Sequence, residues 1–369
     1  MKIVTFADLH LGNKSNGNLD PKTGLNTRVL DALNSLDYMI DYCLNNNIQN
    51  IICAGDIYHN NMPTPNIQQE FNKRMNILSK HNINTYIMSG NHDVSSTITN
   101  TSALTVFDTL EIDNIYHSRF YKKYNLNNID LIMLPTYTNE EEVKNIINKI
   151  NKPSIIVGHF TLLGAKLNDY LIEKNESNIN MNIFNNKNII CVILGHLHKY
   201  QIMNTKPLIY YCGSLQRIDF NEERQKKGFI ELEIENNKLI NYKFIEVPSQ
   251  TFVTIKYDLT NSNDATEELI NQINKNKDKL NNSIIRFKLK LKKDTNINYN
   301  ILNDKLHLYK IKSLSNISKD IDEKELIIDS NINENINEKQ ALQLYFKDDK
   351  KMIKLGLDMI DKLQQEGKI

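Results

Sequence analysis

Five short apolar runs in this chain each break directly onto a cluster of Asp, Asn, His and Gly, and that recurrence restricts the possible folds more than any other feature. Val4–Ala7 leads to Asp8-Leu9-His10, Ile51–Ala54 to Gly55-Asp56, and Tyr86–Met88 to Gly90-Asn91-His92-Asp93. Ile155–Val157 leads to Gly158-His159, and Ile189–Leu194 to Gly195-His196-Leu197-His198. Each run is of strand length and is read as a strand. Six of the nine histidines (His10, His59, His92, His159, His196, His198) fall just after such runs. In open sheets, binding sites form at the carboxyl ends of the strands, so these loops are expected to converge. His81, His117 and His307 have no such context and read as ordinary surface or structural residues.

Between the runs, Val29, Leu33, Leu36, Ile40 and Cys43 recur at helical spacing, as do Phe71, Met75 and Leu78. The alternation is β-α-β-α-β, the pattern of a sheet covered by helices. Further strands are expected at Leu131–Leu134 and Leu208–Tyr211, with a late hairpin at 228–234 and 239–247. Pro248 marks a boundary. A smaller α+β unit follows: strands at Phe252–Tyr257 and Ile284–Leu291, and helices over about 264–280 and 300–308. Residues 315–337 read as a polar linker, and Met352, Leu355, Met359 and Leu363 place an amphipathic helix in the tail. The domains are therefore 1–249, 250–314 and 315–369.

The clusters themselves indicate chemistry. Asp8 and His10, two residues apart, point the same way if the segment is extended, while Leu9 turns into the core. Asp56 is placed to bridge two ions, and imidazole with carboxylate and amide oxygen suits Mn²⁺, Fe or Zn²⁺ better than Ca²⁺ or Mg²⁺ alone. Two such ions roughly 3.5–4 Å apart stabilise both oxygens of a phosphoryl transfer, which points to hydrolysis of a phosphate ester.

The order Asp-x-His, Gly-Asp, Gly-Asn-His-Asp, Gly-His, Gly-His-x-His resembles the calcineurin-like metallophosphoesterases. More narrowly, the chain is similar to the SbcD-type (meiotic-recombination-eleven) nucleases of DNA double-strand-break repair and recombination. Three features carry this: Phe6-Ala7-Asp8-Leu9-His10-Leu11-Gly12; Gly55-Asp56-Ile57-Tyr58-His59 followed by Pro63-Thr64-Pro65; and Tyr211-Cys212-Gly213-Ser214-Leu215-Gln216-Arg217-Ile218-Asp219-Phe220 before Lys227-Gly228-Phe229. The resemblance implies an α/β fold: a four-layer α/β/β/α sandwich with a smaller α+β capping domain and a C-terminal helical tail. It also implies a Mn²⁺-dependent exonuclease and endonuclease acting on DNA ends.

By the same resemblance, Asp8, His10, Asp56 and His198 hold one metal, and Asp56, Asn91, His159 and His196 the other. His92 stays free of metal near the scissile phosphate, where it protonates the leaving 3′ oxygen or stabilises developing charge. Asp93 orients and charges His92, and His59 stands near the DNA strand, where many relatives have Asp. The implied partners are DNA, a second copy of the chain, and an SbcC-like SMC-type ATPase whose coiled-coil base is gripped by the C-terminal helices. The segments Gly12–Asn26 and Ser95–Val106, which border the substrate groove, depart from the family pattern.

Ile285, Phe287, Leu289 and Leu291 alternate with Arg286, Lys288, Lys290 and Lys292, so one face is buried and the other is a basic stripe suited to a phosphate backbone. The net charge of +1 is uninformative beside this local pattern. Cys43, Cys53, Cys191 and Cys212 lie far apart and are expected as reduced core thiols. No apolar run approaches the roughly 18 residues of a membrane span, and no leader pattern precedes the first strand, so a cytoplasmic, nucleoid-associated protein is expected. The absence of a Gly-x-x-x-x-Gly-Lys-Ser/Thr loop assigns any ATP dependence to a partner. Two alternatives remain: a phosphodiesterase or phosphatase on other substrates, and a non-catalytic scaffold on the same fold.

Overall fold

The computed structural model describes residues 1–95, 102–110, 112–167, 170–171, 179–292, 295–308, 313–321 and 350–365, and it turns the apolar runs into the inner strands of two sheets. The strands are β1 (Lys2–Phe6), β2 (Asn50–Cys53), β3 (Asn84–Met88), β4 (Ile115–Ser118), β5 (Lys122–Leu126), β6 (Ile129–Met133) and β7 (Ser154–His159). Then come the short β8 (Lys166–Leu167) and β9 (Tyr170–Leu171), β10 (Ile189–Gly195), β11 (Gln201–Thr205), β12 (Leu208–Tyr211), β13 (Gly228–Glu235) and β14 (Lys238–Glu246). One six-stranded sheet runs β14-β13-β1-β2-β3-β4, the other β11-β12-β10-β7-β6-β5. Both are mixed: the first is antiparallel over β14-β13-β1 and parallel from β1 to β4, and the second has parallel pairs in the centre and an antiparallel pair at each flank.

Because strand side chains alternate, β1 sends Ile3 into the layer between the sheets and Val4 and Phe6 into the layer under the helices. β2 and the residue after it do the same with Ile52 and Ala54 against Ile51 and Cys53. Burial on both faces is why these strands read as unbroken apolar runs. Helices Thr27–Asn45 and Pro65–Lys80 cover the first sheet and Glu140–Asn148 the second, which gives the four-layer α/β/β/α sandwich. Each fully buried Ile or Leu in these layers contributes roughly 1.5–3 kcal/mol. All four cysteines are free and buried, and burial pushes the Cys191 thiol up to about 12.

In the two large sheets, three strands absent from the sequence reading, β4, β5 and β11, are edge strands. There one side meets solvent, and the apolar signal is weak: the exposure of Lys122-Lys123-Tyr124-Asn125 is typical.

The smaller unit is a parallel sheet of β15 (Phe252–Asp258), β16 (Ile284–Leu291) and β17 (Ser313–Ile321). Helices Ala265–Lys275 and Tyr299–Leu308 connect the strands and share a core of Leu269, Ile273, Phe287 and Leu302. Two expectations are corrected here. The helix over 264–280 breaks at Asn276 into Ala265–Lys275 and Lys277–Leu280. The unit also does not end at 314: β17 pairs with β16 as far as Ile321, so the expected linker gives up its first residues to a strand. In β17 the apolar residues Leu314, Ile317 and Ile321 fall three and four apart, a spacing that hides a strand. The rest of that linker, 322–337, lies outside the described residues, as do 340–349 of the expected tail.

Along β16, Ile285, Phe287, Leu289 and Leu291 are buried while Lys288 and Lys290 are exposed, as the alternation predicts. The tail helix Lys350–Gln365 exposes Met352, Leu355 and Met359 at 42%, 57% and 60%. Among the described residues, no helix is long and apolar enough to cross a membrane.

Candidate metal centre

The five clusters meet at the carboxyl ends of β1, β2 and β3 in one sheet and of β7 and β10 in the other. Beyond the sheet, the first two loops stay paired: the Asp8 N–H donates to the Gly55 carbonyl (3.0 Å) and the His10 N–H to the Asp56 carbonyl (3.1 Å). This segment is not the extended chain expected. Asp8 (φ 53°) and His10 (φ 46°) are left-handed, as are Asp56 (φ 54°) and His196 (φ 91°). Every other non-glycine at positive φ among the described residues is Asn, which tolerates that region. Left-handed backbone costs roughly 1–3 kcal/mol at each of the four remaining positions, and all four aim a side chain at one point. Leu9 turns into the core, as expected.

At that point Asp56 Oδ2 lies 3.6 Å from His10 Nε2 and 3.2 Å from His159 Nε2. Asn91 Oδ1 lies 3.0 Å from both His159 Nε2 and His196 Nδ1, and His10 Nε2 lies 3.0 Å from His198 Nε2. Asp8 Oδ1 accepts the His196 N–H at 2.9 Å, while the buried Asp8 Oδ2 and His10 Nδ1 have no hydrogen-bond partner among the described residues. Among the described residues three compact groups of donor atoms occur: Asp8, His10 and His198; Asp8, Asp56 and His159; and, toward the mouth, His10, His59 and His92. A buried carboxylate oxygen with no donor costs a few kcal/mol unless a cation faces it. The oxygen and imidazole donors, without thiolate, fit divalent ions of the Mn, Fe or Zn kind.

The electrostatics favour added positive charge. Burial raises the Asp8 carboxyl above its usual range. Burial works against a charge on His159 as well, but the Asp56 carboxylate holds it up to about 9. Asp56, despite burial, is pulled below its usual range by His159 and His10. His196 is brought down to about 4 by burial and by His159 beside it.

Two of these imidazoles are anchored from behind, leaving Nε2 toward the centre: His159 Nδ1–H donates to the Ala54 carbonyl (2.7 Å) and His198 Nδ1–H to Glu222 (2.7 Å). The close packing explains two glycines. A Cβ on Gly55 (φ 97°) would overlap the His159 ring, and one on Gly90 would overlap the Asp56 carboxylate. They make room for the His159 and Asp56 side chains themselves.

His92 is exposed at the mouth. Its backbone N–H donates to Asp56 Oδ1 (2.8 Å), and its Nδ1–H donates to the His59 carbonyl (2.8 Å). The expected role of Asp93 is corrected. Its buried carboxylate takes the N–H groups of Ile57 (3.2 Å), Tyr58 (2.8 Å) and Gly90 (2.8 Å) and makes no bond to the His92 ring. Asp93 staples the loop after β2 to the loop after β3; burial first, then the charge of Asp56, pushes it up to about 7. His59 stacks against His92 at 5.7 Å and meets His10 edge-on at 5.6 Å.

His117 is buried between Asp108 and Ser89, and His81 bonds the Ile77 carbonyl at a helix end, both structural contacts. The side chain of His307 lies outside the described residues. Glu222 and Lys227 are the residues that sequence reasoning passed over. Lys227 stood in a segment marked only as a family signature, and neither signalled contact with His198.

The profile described as calcineurin-like phosphoesterase matches residues 1–200. The SbcD polypeptide of the nuclease SbcCD from Staphylococcus epidermidis is 26% identical over 306 residues, covering 75% of this chain and 77% of that one. The protein of the same name from Staphylococcus saprophyticus is 27% identical over 270 residues (66% and 68%). That from Escherichia coli K12 is 22% identical over 296 residues (70% and 72%).

Proposed function

The chain belongs to the calcineurin-like phosphoesterase family and is a metal-dependent phosphodiester hydrolase; from that premise we propose that it is a Mn²⁺-dependent nuclease processing DNA ends, partnered by an SbcC-like ATPase. The observation that carries the two-metal reading is the place of Asp56 Oδ2, within reach of a ring nitrogen from each ligand set: His10 at 3.6 Å and His159 at 3.2 Å. In this reading Asp8, His10, Asp56 and His198 hold one ion, and Asp56, Asn91, His159 and His196 the other. When bound, such a pair stabilises charge on the attacking and leaving oxygens of a phosphoryl transfer.

The remaining work falls to His92. Its Nδ1–H is committed to the His59 carbonyl, so Nε2 faces the substrate, and the imidazolium form delivers its Nε2 proton to the leaving 3′ oxygen or hydrogen-bonds the phosphate through it as charge develops. His59 acts through that carbonyl and through its ring stacked on His92.

A DNA substrate is favoured by a cleft of about 880 Å³ between the two domains, lined by Lys199, Arg224, Lys226, Lys256, Arg286 and Lys288. Lys199 directly follows His198, so the cleft opens beside the metal centre. Lys256 and Lys288 stand side by side in register, both exposed, and like charges so placed destabilise a sheet until an anion covers them. The apolar residues exposed on helix Lys350–Gln365 suit an ATPase partner by helix-in-groove contact.

The deciding assay gives purified protein with Mn²⁺ linear duplex DNA, plasmid, and a small chromogenic phosphodiester. Cleavage of the chromogenic ester but of neither DNA would sink the nuclease reading. Substituting Lys256 and Lys288 together by Ala should flatten the log–log dependence of DNA affinity on salt by about one to two, while cleavage of the small ester stays at the wild-type rate. An unchanged salt slope would remove the cleft from the DNA path.

A further inference from the structure

Glu222 and Lys227 are buried to 4% and 1% exposure beside the metal centre. Glu222 Oε1 takes the Nδ1–H of His198 at 2.7 Å, and Oε2 takes the Ile218 N–H (2.9 Å) and the Lys227 ammonium (2.6 Å). Lys227 Nζ donates further to the His198 carbonyl (2.9 Å), Ser214 Oγ (2.8 Å) and Gln225 Oε1 (3.0 Å). One residue is thus gripped twice: Glu222 fixes the ring of His198, and Lys227 fixes its main chain while neutralising Glu222.

Such a pair is not a cheap stabiliser. Burying both charges costs several kcal/mol before their attraction and hydrogen bonds return it, and apolar residues of similar volume often do as well. What apolar residues cannot do is select an imidazole tautomer. We propose that Glu222, backed by Lys227, is a positioning residue that holds His198 as the Nδ1–H tautomer and presents its Nε2 to one of the two cations. This rests on the reading of His198 as a metal ligand.

The two anchored imidazoles differ in what holds them. His159 is backed by the neutral Ala54 carbonyl, His198 by a carboxylate. A carboxylate makes the imidazole the stronger ligand, so the two metal positions are inequivalent, with the contribution of Glu222 confined to the His198 side.

The test is a Mn²⁺ titration followed by electron paramagnetic resonance, in which magnetic coupling marks two adjacent ions. Glu222→Gln keeps the size of the side chain and an oxygen acceptor but loses the charge. It should weaken one site about 10–100-fold and leave the other as in the wild type, so that an uncoupled single-ion signal appears where the wild type is coupled. Two sites of wild-type affinity in Glu222→Gln would overturn the proposal. His198→Ala separates the premise from the inference: it should lose the same site, and if it keeps both, the ligand assignment fails. If Glu222→Gln does not fold, the imidazole ¹⁵N spectrum of metal-free wild-type protein decides, with His198 as Nδ1–H supporting the proposal and Nε2–H refuting it.

Discussion

Asp56→Asn should bind Mn²⁺ at below two ions per chain and lose DNA cleavage by more than about 10³-fold, beyond what removal of one preorganised donor costs. The substitution is isosteric. The oxygen that accepts the His92 N–H is retained, so the loop after β3 keeps its anchor. The charge is lost, and an N–H₂ donor replaces the acceptor oxygen Oδ2, the atom within reach of both His10 and His159. His159 loses with it the main influence holding its proton affinity up. Calorimetric stoichiometry with a nuclease assay measures both effects, and two ions bound with wild-type affinity would show that Asp56 does not bridge.

His92→Ala should show the opposite dissociation. Two Mn²⁺ ions bind as in the wild type, because the ring of His92 takes its hydrogen bond from no ligand and gives one only to the His59 carbonyl. Cleavage of linear duplex DNA falls about 10²–10⁴-fold, the usual contribution of a positioned acid or base. The loss should lie in kcat, since in the proposed role the exposed ring acts on the leaving oxygen and adds little to ground-state binding. A His92→Ala protein that cuts at the wild-type rate with both ions bound would refute its role.

How much of this was legible depended on burial. β1, β2, β3, β7 and β10 are covered on both faces, so they appear as apolar runs, and the run's end marks where the ligands begin. β17, with its apolar residues three and four apart, left no such mark. The ligand loops were legible as composition but not as conformation: nothing in Asp8-Leu9-His10 announces two left-handed residues, because only glycine signals that region strongly.

Asp93 was misread for a related reason. Neighbours in a tight turn face opposite sides, so adjacency to His92 suggested a partnership that the turn prevents. The hold of Glu222 on His198 spans 24 residues, and no local pattern encodes it.

The distribution of the ligands over both sheets has a thermodynamic consequence. Asp8, His10, Asp56 and Asn91 follow strands of one sheet; His159, His196 and His198 belong to the other. In the proposed reading, ions held between them would act as cross-links at one rim of the sandwich, released when either sheet unfolds. Cation concentration then enters the folding equilibrium by mass action, adding about 2.7 kcal/mol per site at a hundred times its Kd. The denaturant midpoint should climb with the logarithm of free Mn²⁺, and an unmoved midpoint would mean that no ion binds the folded chain in preference to the unfolded one. A chain of this design would meet metal scarcity first as a loss of folded protein.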